Sequence, residues 1–396
     1  MTASETAHEA LSTSSSLDAP QKLSKVNAPK ATAPHKDSMK STWRTGDRKE
    51  WGRHHWTMEI LNIHPTDINK PVPVHQKTDK VPALPTGQCH IWILAHAVWP
   101  MLLHQGAAMA LGRNIPWWAV FILYTLAFKI NAIHELHMLR NLGMRYGFLD
   151  GDKHERDQVP DANVSKTFHA LTNTSTFRPL MAVILAYRSS ELPSSTSWWL
   201  PVELGLYGIV LDFWFYWYHR CMHEYDGLWK YHRTHHLTKH PTPLLTIYAD
   251  VEQEIFDIAV IPLMTWLSLK AMGLPMGFYD WWICHQYIVF TELFGHSGVR
   301  LYTTPPSTNS WFLRLFNAEL ATEDHDLHHR KGYRKSHNYG KQTLLWDRVF
   351  GTTHDRIEST EENIDYKNSA TIEFFPIIKE WLFVGERRSG VHNEVK

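Results

Sequence analysis

Five apolar stretches of nearly membrane-spanning length constrain the fold of this chain more than any other feature. A helix needs about 20 mostly apolar residues to cross a bilayer, and these stretches are close to that length. Some carry isolated acids, such as Asp257 and Asp280, which usually face a protein interior and not lipid. We therefore predict an all-α fold, a polytopic membrane helical bundle with about 4–6 membrane segments. The stretches are residues 91–111, 117–133, 198–218, 255–274 and 278–295.

The polar segments between and beyond these stretches divide the chain into four regions. The first 50 residues are rich in Ser, Thr, Ala and Lys, a composition typical of a disordered tail. Residues 141–177 are polar and acidic, so we expect a solvent-exposed insert. Residues 372–384 fit either a helix on a membrane surface or a packed C-terminal helix. The predicted regions are a disordered tail (1–50), an N-terminal membrane hairpin with the polar insert (51–190), a third region (191–360) and a C-terminal tail (361–396).

Charge and motif content argue against several classes of protein. Lys and Arg total 40 and Asp and Glu total 40, and this balance argues against nucleic-acid binding. Three cysteines cannot build a disulfide framework. The chain has no GxGxxG, GxxxxGK[ST] or GxSxG motif. Rossmann or P-loop nucleotide binding and nucleophile-elbow hydrolysis therefore have no support in the sequence.

Clustered histidines carry the chemistry of the chain. An HxxxH motif occupies residues 219–223, and HxxHH motifs occupy 232–236 and 325–329, with His296 alone between the last two. On a helix, residues i, i+3 and i+4 share a face, so each motif should offer its imidazoles to one small volume. Neutral imidazole is a good ligand for iron, zinc, copper and nickel. Nine such rings suit two adjacent metal ions that could activate dioxygen or water, and no separate catalytic residue is predicted. The predicted ligands are His219, His223, His232, His235, His236, His296, His325, His328 and His329.

The order of apolar and histidine-rich segments predicts that the nine rings meet on one side of the membrane. The first two motifs follow the stretch at 198–218, and two further apolar stretches precede His296 and the third motif. Two crossings return the chain to its starting side, whereas one crossing would separate the motifs. Basic residues such as Arg233 and Arg330 flank the motifs, and positive charge beside a span marks the cytoplasmic face. We therefore expect a cytosolic, histidine-rich helical cap on the bundle.

Acidic residues near the motifs are candidates for orienting the histidine rings. Two metal ions with neutral ligands leave positive charge to offset, and carboxylates often accept ring N–H bonds in metal sites. Asp212 precedes His219 by seven residues and shares its helical face, and Glu292 could also be a ligand. The alternative for each acid is a solvated loop or a helix cap. The predicted supporting residues are Asp212, Glu292, Asp324 and Asp326.

The motifs and their surroundings resemble those of the sterol desaturase/fatty acid hydroxylase superfamily. The similar segments are 212–220, 229–232, 323–329 and 339–352, within about residues 195–355. The resemblance implies a helical, multi-pass, non-haem di-iron oxygenase of the endoplasmic reticulum membrane, with its active site facing the cytosol. It implies that residues 191–360 form the catalytic domain and that the nine histidines bind two iron ions. Some members have another histidine where this chain has Glu292, which leaves the ligand count open.

The same resemblance implies a monooxygenase-type oxidoreductase of lipid biosynthesis. Such an enzyme hydroxylates or desaturates a lipid-like substrate (a sterol, an acyl chain or a terpenoid-type metabolite) with O2 and electrons from NAD(P)H. The chain lacks the HPGG signature of a fused cytochrome b5 domain, so an external donor such as cytochrome b5 with its reductase is implied. Iron is favoured over zinc because zinc has no redox chemistry.

The main alternative is a histidine-rich membrane zinc protein. A zinc transporter would place its histidines within the spans, whereas these motifs follow the spans in basic polar segments. A di-zinc hydrolase would use the same ligands but would contain zinc and would not need oxygen. A catalytically inactive lipid-binding relative is a third interpretation.

Overall fold

The computed structural model describes residues 37–153 and 155–374, and these residues are mostly α-helical. The predicted all-α fold class is thereby confirmed. Two short strands, β1 (Val81–Pro82) and β2 (Ile364–Asp365), pair in parallel. The helices are α1 (Arg53–Ile60), α2 (Thr86–Leu111), α3 (Trp117–Tyr146), α4 (Val164–Ala186), α5 (Leu200–Glu224), α6 (Asp226–His232), α7 (Val251–Ile255), α8 (Ile261–Ala271), α9 (Phe278–Gly295), α10 (Ser310–Leu315), α11 (Thr322–Arg330) and α12 (Leu345–Phe350).

Helices α2 and α3 form the N-terminal hairpin that the sequence predicts. Helix α2 ends at Gly112, whose φ of 64° favours a residue without Cβ, and Pro116 immediately precedes α3. Trp99 Nε1 donates a 2.9 Å hydrogen bond to Asn131 Oδ1 and ties the two helices together. The two helices also expose a broad apolar patch, which is typical of a surface that contacts a membrane or another protein. Its exposed side chains are Ile91, Leu94, Val98, Leu102, Trp117, Trp118, Ile122, Leu126 and Ile130.

Helix α9 lies at the centre of the helical packing. It contacts α2, α3, α4 and α5, and nearly all of its side chains are buried. Trp282 Nε1 donates to the carbonyl of Ala97 at 2.9 Å, and Asn131 Nδ2 donates to Gln286 Oε1 at 2.8 Å. The apolar character of α9 therefore serves the protein core. Among the described residues, only α3 is long and apolar enough, by length and composition, to cross a membrane.

Helix α5 packs along α8 and carries the first histidine motif at its C-terminal end. A π-helical turn, Phe256–Val260, joins α7 to α8, and such turns are frequent at functional sites. Around this turn, Gln253 Nε2 donates to Asp257 Oδ2 at 3.2 Å. Gln253 on α7 and His296 after α9 both lie beside other histidines, so the chain comes back to the histidines after α9. The two membrane crossings predicted between them stay a prediction.

Part of the predicted disordered tail is packed in this structure. Trp43 is buried, and its Nε1 donates to the carbonyl of Val159 at 3.1 Å. The backbone N–H groups of Thr42 and Trp43 donate to the carboxylate of Asp161. The average composition of residues 1–50 does not reveal this attachment, because one tryptophan carries most of it. Residues 1–36 lie outside the described residues.

The segment predicted to be a solvent-exposed insert differs more strongly from expectation. Its two ends belong to α3 and α4, and the chain between them contacts α11, the helix that carries the third histidine motif. Arg156 is buried there and pairs with Asp326. The prediction of solvent exposure is wrong for this part, because its charges are neutralised by residues distant in sequence. Of residues 372–384, only 372–374 are described, and Ile372 is buried.

Candidate metal centre

The structure brings all nine predicted histidines together in two buried groups. Within each group, every residue offers one ligand atom, and these atoms lie within 4.8 Å of one another. The five-histidine group consists of His219, His223, His232, His236 and His328. The four-histidine group consists of His235, His296, His325 and His329.

The two HxxHH motifs do not each serve one group, in contrast to the expectation from helical spacing. Helix α6 ends at His232, and a 3₁₀ turn then holds His235 and His236, which belong to different groups. Helix α11 directs His325 and His329 to the four-histidine group and His328 to the five-histidine group. Both motifs therefore contribute to both groups, and this sharing places the groups side by side.

Most of the ring Nδ1 atoms face oxygen acceptors. His219 Nδ1 lies 2.7 Å from the carbonyl oxygen of Tyr339, and His328 Nδ1 lies 2.6 Å from that of His337. A proton on Nδ1 satisfies each of these contacts and leaves Nε2 as an unprotonated ligand atom. The remaining pairs are His223 with the carbonyl of Arg334, His232 with Gln253 Oε1, His296 with the carbonyl of Glu292 and His329 with the carbonyl of Thr238.

The Nε2 atoms face one another inside the groups. His219 Nε2 lies 3.0 Å from His232 Nε2, although both rings direct Nδ1 at an oxygen acceptor. Two unprotonated nitrogens at this distance repel each other through their lone pairs, and a cation coordinated by both removes that repulsion. In the other group, His325 Nε2 lies 3.0 Å from His296 Nε2, although His325 Nδ1 faces no acceptor among the described residues. The donor set therefore fits a pair of metal ions.

Burial keeps the histidine rings neutral. Desolvation lowers the pKa of His232, His236 and His328 well below the ordinary histidine value, and neighbouring imidazoles lower the pKa further. The pKa of His223 falls to about 4, with burial as the main cause. Neutral imidazole is the form that binds metal, so no proton has to leave these rings before coordination at neutral pH.

The four predicted supporting acids lie near the groups but bind other partners than the rings. Asp212 accepts hydrogen bonds from the backbone N–H groups of residues 341–343. Glu292 pairs with Arg178 and Lys341, and Asp324 caps the start of α11 and pairs with Arg356. The expectation that these acids accept ring N–H bonds is thus wrong, because backbone carbonyls and an amide occupy that role. The acids instead hold the elements that carry the rings.

A buried ionic network supports the four-histidine group and was missed in the sequence. Asp326 pairs with Arg156 at 2.8 Å and with Arg330 at 2.7 Å. Asp150 pairs with Arg330 and lies 3.1 Å from His240 Nε2. Asp150 and Arg156 come from the segment predicted to be exposed. Their only sequence signal is a set of charges in a polar segment, which also fits a solvated loop.

A cavity lies between the two histidine groups and one end of the α7–α8 path. His219 and His232 line it from the five-histidine group, and His235, His296 and His325 line it from the other. Phe215 and Ile247 give it an apolar wall, while Asp257, Glu292 and Lys341 give it a charged one. The cavity is therefore bordered by histidines of both groups.

A second cavity follows one side of α9 and is lined by apolar side chains and by polar ones such as Asn309, Glu319 and Gln342. Its lining includes Leu204 and Ile209 from α5, Cys284 and Ile288 from α9, and Leu313 from α10. A neighbouring cavity shares Thr291 with it and extends to Phe294 and Gly295 at the end of α9. The two cavities thus follow α9 towards His296.

Comparisons with known proteins relate the chain to proteins whose names describe enzymes that oxidise lipids. The family described as fatty acid hydroxylase matches residues 204–352, which contain all nine histidines. The fatty acid hydroxylase vlmA of Lecanicillium sp is 45% identical over 317 residues, which cover 76% of this chain and 87% of that relative. Methylsterol monooxygenase 2-2 of Arabidopsis thaliana is 30% identical over 264 residues, which cover 63% of this chain and 90% of that relative.

A more distant similarity extends to an animal enzyme. The alkylglycerol monooxygenase of Homo sapiens is 27% identical over 202 residues, covering 49% of this chain and 38% of that protein. No solved structure matches the chain.

Proposed function

Since the chain belongs to the fatty acid hydroxylase family, we propose that it is a membrane-bound di-iron oxidoreductase that hydroxylates or desaturates a lipid-like substrate with O2. The observation that carries this proposal is the pair of buried histidine groups whose ring nitrogens face one another. The names of the relatives favour this activity over the alternative of a zinc transporter or di-zinc hydrolase.

In this proposal, the nine histidines hold two iron ions. The iron pair supplies the redox chemistry that makes dioxygen able to oxidise an unactivated C–H bond, which zinc does not do. Hydroxylation consumes O2, two electrons and two protons, and yields an alcohol and water. The chain itself contributes ring orientation through the Nδ1 acceptors, and it excludes water because all nine rings are buried.

The names of the relatives and the cavities support a lipid-like substrate. Apolar side chains such as Ile288 and Phe294 along α9, and the wall formed by Phe215 and Ile247, suit contact with the carbon skeleton of an acyl, sterol or terpenoid-type substrate. Lys341 Nζ lies 3.1 Å from Glu292 Oε1 and 4.0 Å from the centre of the Phe215 ring. A polar group of the substrate could be recognised at this pair. Hydroxylation and desaturation differ only in how the substrate is positioned there.

The apolar face of α2 and α3 supports a membrane location for the enzyme. Side chains such as Leu102 and Trp117 are exposed on it, and burying them in lipid removes apolar surface from water. We include in the proposal a polytopic bundle in the endoplasmic reticulum membrane with the histidine groups towards the cytosol, and residues 191–360 as the catalytic domain. Electrons from NAD(P)H would arrive through an external donor such as cytochrome b5 and its reductase.

The test is expression in a microsomal host with metal analysis and mass spectrometry of the lipid extract. We expect iron in the purified protein and an O2-dependent product with one more oxygen atom or two fewer hydrogen atoms. His235→Ala should abolish the product, while His169→Ala, which removes an exposed histidine outside both groups, should not. Active protein that contains stoichiometric zinc and no iron would refute the proposal and favour the hydrolase.

A further inference from the structure

Two aromatic side chains connect the five-histidine group to the surface. Trp229 is 9% exposed, and its ring centre lies 5.3 Å from that of His223 and 5.7 Å from that of His236. On its other side, Trp229 lies 5.0 Å from Tyr333, which is 38% exposed. A continuous row of ring contacts therefore leads from solvent to the five-histidine group through Tyr333, Trp229 and His223. We call it the aromatic row.

Positive charge surrounds the exposed end of this row. We call Arg233, Lys239, Lys331, Arg334 and Lys335 the basic rim, since all five lie on the two segments that flank Tyr333. Lys239 Nζ lies 4.6 Å from the centre of the Tyr333 ring. Asp37 pairs with Arg233 and Asp226 with Arg334, so two carboxylates balance part of five cations. The rim therefore keeps an excess of positive charge around an exposed aromatic ring.

From this arrangement we infer that the basic rim docks an acidic one-electron carrier protein and that its electrons enter the five-histidine group through Tyr333 and Trp229. This inference rests on the proposed function. Each reduced carrier is oxidised by one electron, and one iron(III) ion becomes iron(II), so two carriers reduce the iron pair. Electron tunnelling slows steeply with distance, and the aromatic row gives the electron a short path of closely spaced rings.

The main competing occupant of the rim is an anionic membrane surface. Lys and Arg clusters also bind acidic lipid headgroups. Binding of a lipid surface, however, requires only surface charge. Electron transfer from a carrier also requires a path into the protein, which the aromatic row provides. Charge complementarity also raises the association rate of protein partners, which suits a carrier that must bind and leave in every turnover.

The first experiment measures binding. Reduced and oxidised soluble cytochrome b5, an acidic haem protein, serves as the carrier probe against the metal-free enzyme in detergent. The charge reversal Lys331→Glu/Lys335→Glu should raise the Kd about tenfold or more at low salt, with the effect shrinking as salt screens the charges. The matched control Lys367→Glu reverses an exposed lysine elsewhere and should leave the Kd unchanged. Binding of the unaltered enzyme and the double variant to phosphatidylserine vesicles is measured in parallel. An unchanged Kd for cytochrome b5 in the double variant overturns the inference. A double variant that loses binding to the vesicles but keeps its binding to cytochrome b5 also overturns it.

The second experiment measures electron transfer in the iron-loaded enzyme without oxygen. Trp229→Leu and Tyr333→Leu should slow reduction of the iron by cytochrome b5 severalfold with little change in Kd, whereas reduction by dithionite should be unaffected. Tyr225→Leu, which removes an exposed tyrosine outside the row, is the control. Equal reduction rates in all variants would overturn the aromatic route.

Single turnover separates this inference from the proposed function. If dithionite-reduced enzyme still oxidises lipid when oxygen is added, a failure of the carrier experiments refutes only the docking face and its route. If dithionite-reduced, iron-loaded enzyme forms no product from any lipid extract, the proposed function itself fails.

Discussion

The two histidine groups share one kind of ring contact but differ in the interactions around them. In the five-histidine group, three rings direct Nδ1 at carbonyls of Arg334, His337 and Tyr339, all on one loop, and a fourth faces Gln253. The four-histidine group lies beside the ionic network of Asp326, Arg156 and Arg330. Backbone carbonyls thus orient rings in both groups, since His296 and His329 of the four-histidine group also face them. The ionic network additionally fixes α11, which carries two of the four rings in that group.

The groups also differ in the number of ligands. An ion in the four-histidine group keeps more positions free for exogenous ligands than one in the five-histidine group, and catalytic metal sites typically keep an open position. The five-histidine group instead contacts the aromatic row that begins at Trp229. Under the proposed function, this contrast places electron entry at the five-histidine group and substrate oxidation nearer the four-histidine group.

Removing one ring from either group should give the largest effect. We expect His328→Ala and His325→Ala each to lower activity more than about a hundredfold, because loss of a direct ligand exceeds the effect of losing a supporting hydrogen bond. Each variant should lose the iron of its own group and keep the other, as measured by metal analysis. Loss of both ions in both variants would show that the groups are not independent.

Breaking the ionic network should be the next largest effect. Arg156→Ala leaves Asp326 buried without one of its partners, and removing one member of a buried pair costs about 3–5 kcal/mol. Denaturant unfolding of the metal-free protein in detergent measures this loss. Arg314→Ala, which breaks an exposed pair with Glu319, should cost only about 0–1 kcal/mol. Equal costs for the two variants would contradict the role of the network.

Loss of a ring acceptor should have a smaller effect, confined to one group. Gln253→Leu removes the partner of His232 Nδ1, and such changes weaken metal affinity about 10–100-fold. Competition with a chelator should show weaker binding at the five-histidine group only. The control Gln88→Leu removes hydrogen bonds to residues 370–372, far from both groups along the chain, and should leave both affinities unchanged.

The smallest expected effect is a difference in metal release between the groups. A chelator should remove iron from the unaltered enzyme in two phases, with the four-histidine ion leaving first because it has fewer protein ligands. Activity should be lost in the first phase, as followed by parallel iron and product assays. A single phase with activity lost in proportion to total iron would remove the distinction between the groups.

The sequence was sufficient to predict that these nine histidines come together and that the fold is helical, but not how the rings are divided. The HxxHH spacing indicates a shared helix face, and only the structure shows that α6 ends at His232 and sends His235 and His236 to different groups. The ring acceptors could not be predicted either, since every residue has a carbonyl. Arg156 and Asp326 are separated by 170 positions, so their pairing depends on tertiary packing.

The packing of α11 sets a lower limit on the length of a truncated protein that would still fold. Glu323 on α11 accepts backbone hydrogen bonds from Ile357, Glu358 and Ser359, and Arg356 pairs with Asp324. The partners at residues 356–359, like Asp150 and Arg156, lie outside the matched segment 204–352. A truncated protein cut to that segment would keep every candidate ligand yet expose uncompensated carboxylates on the helix that carries three of them. The smallest autonomous enzyme is therefore larger than its recognisable signature.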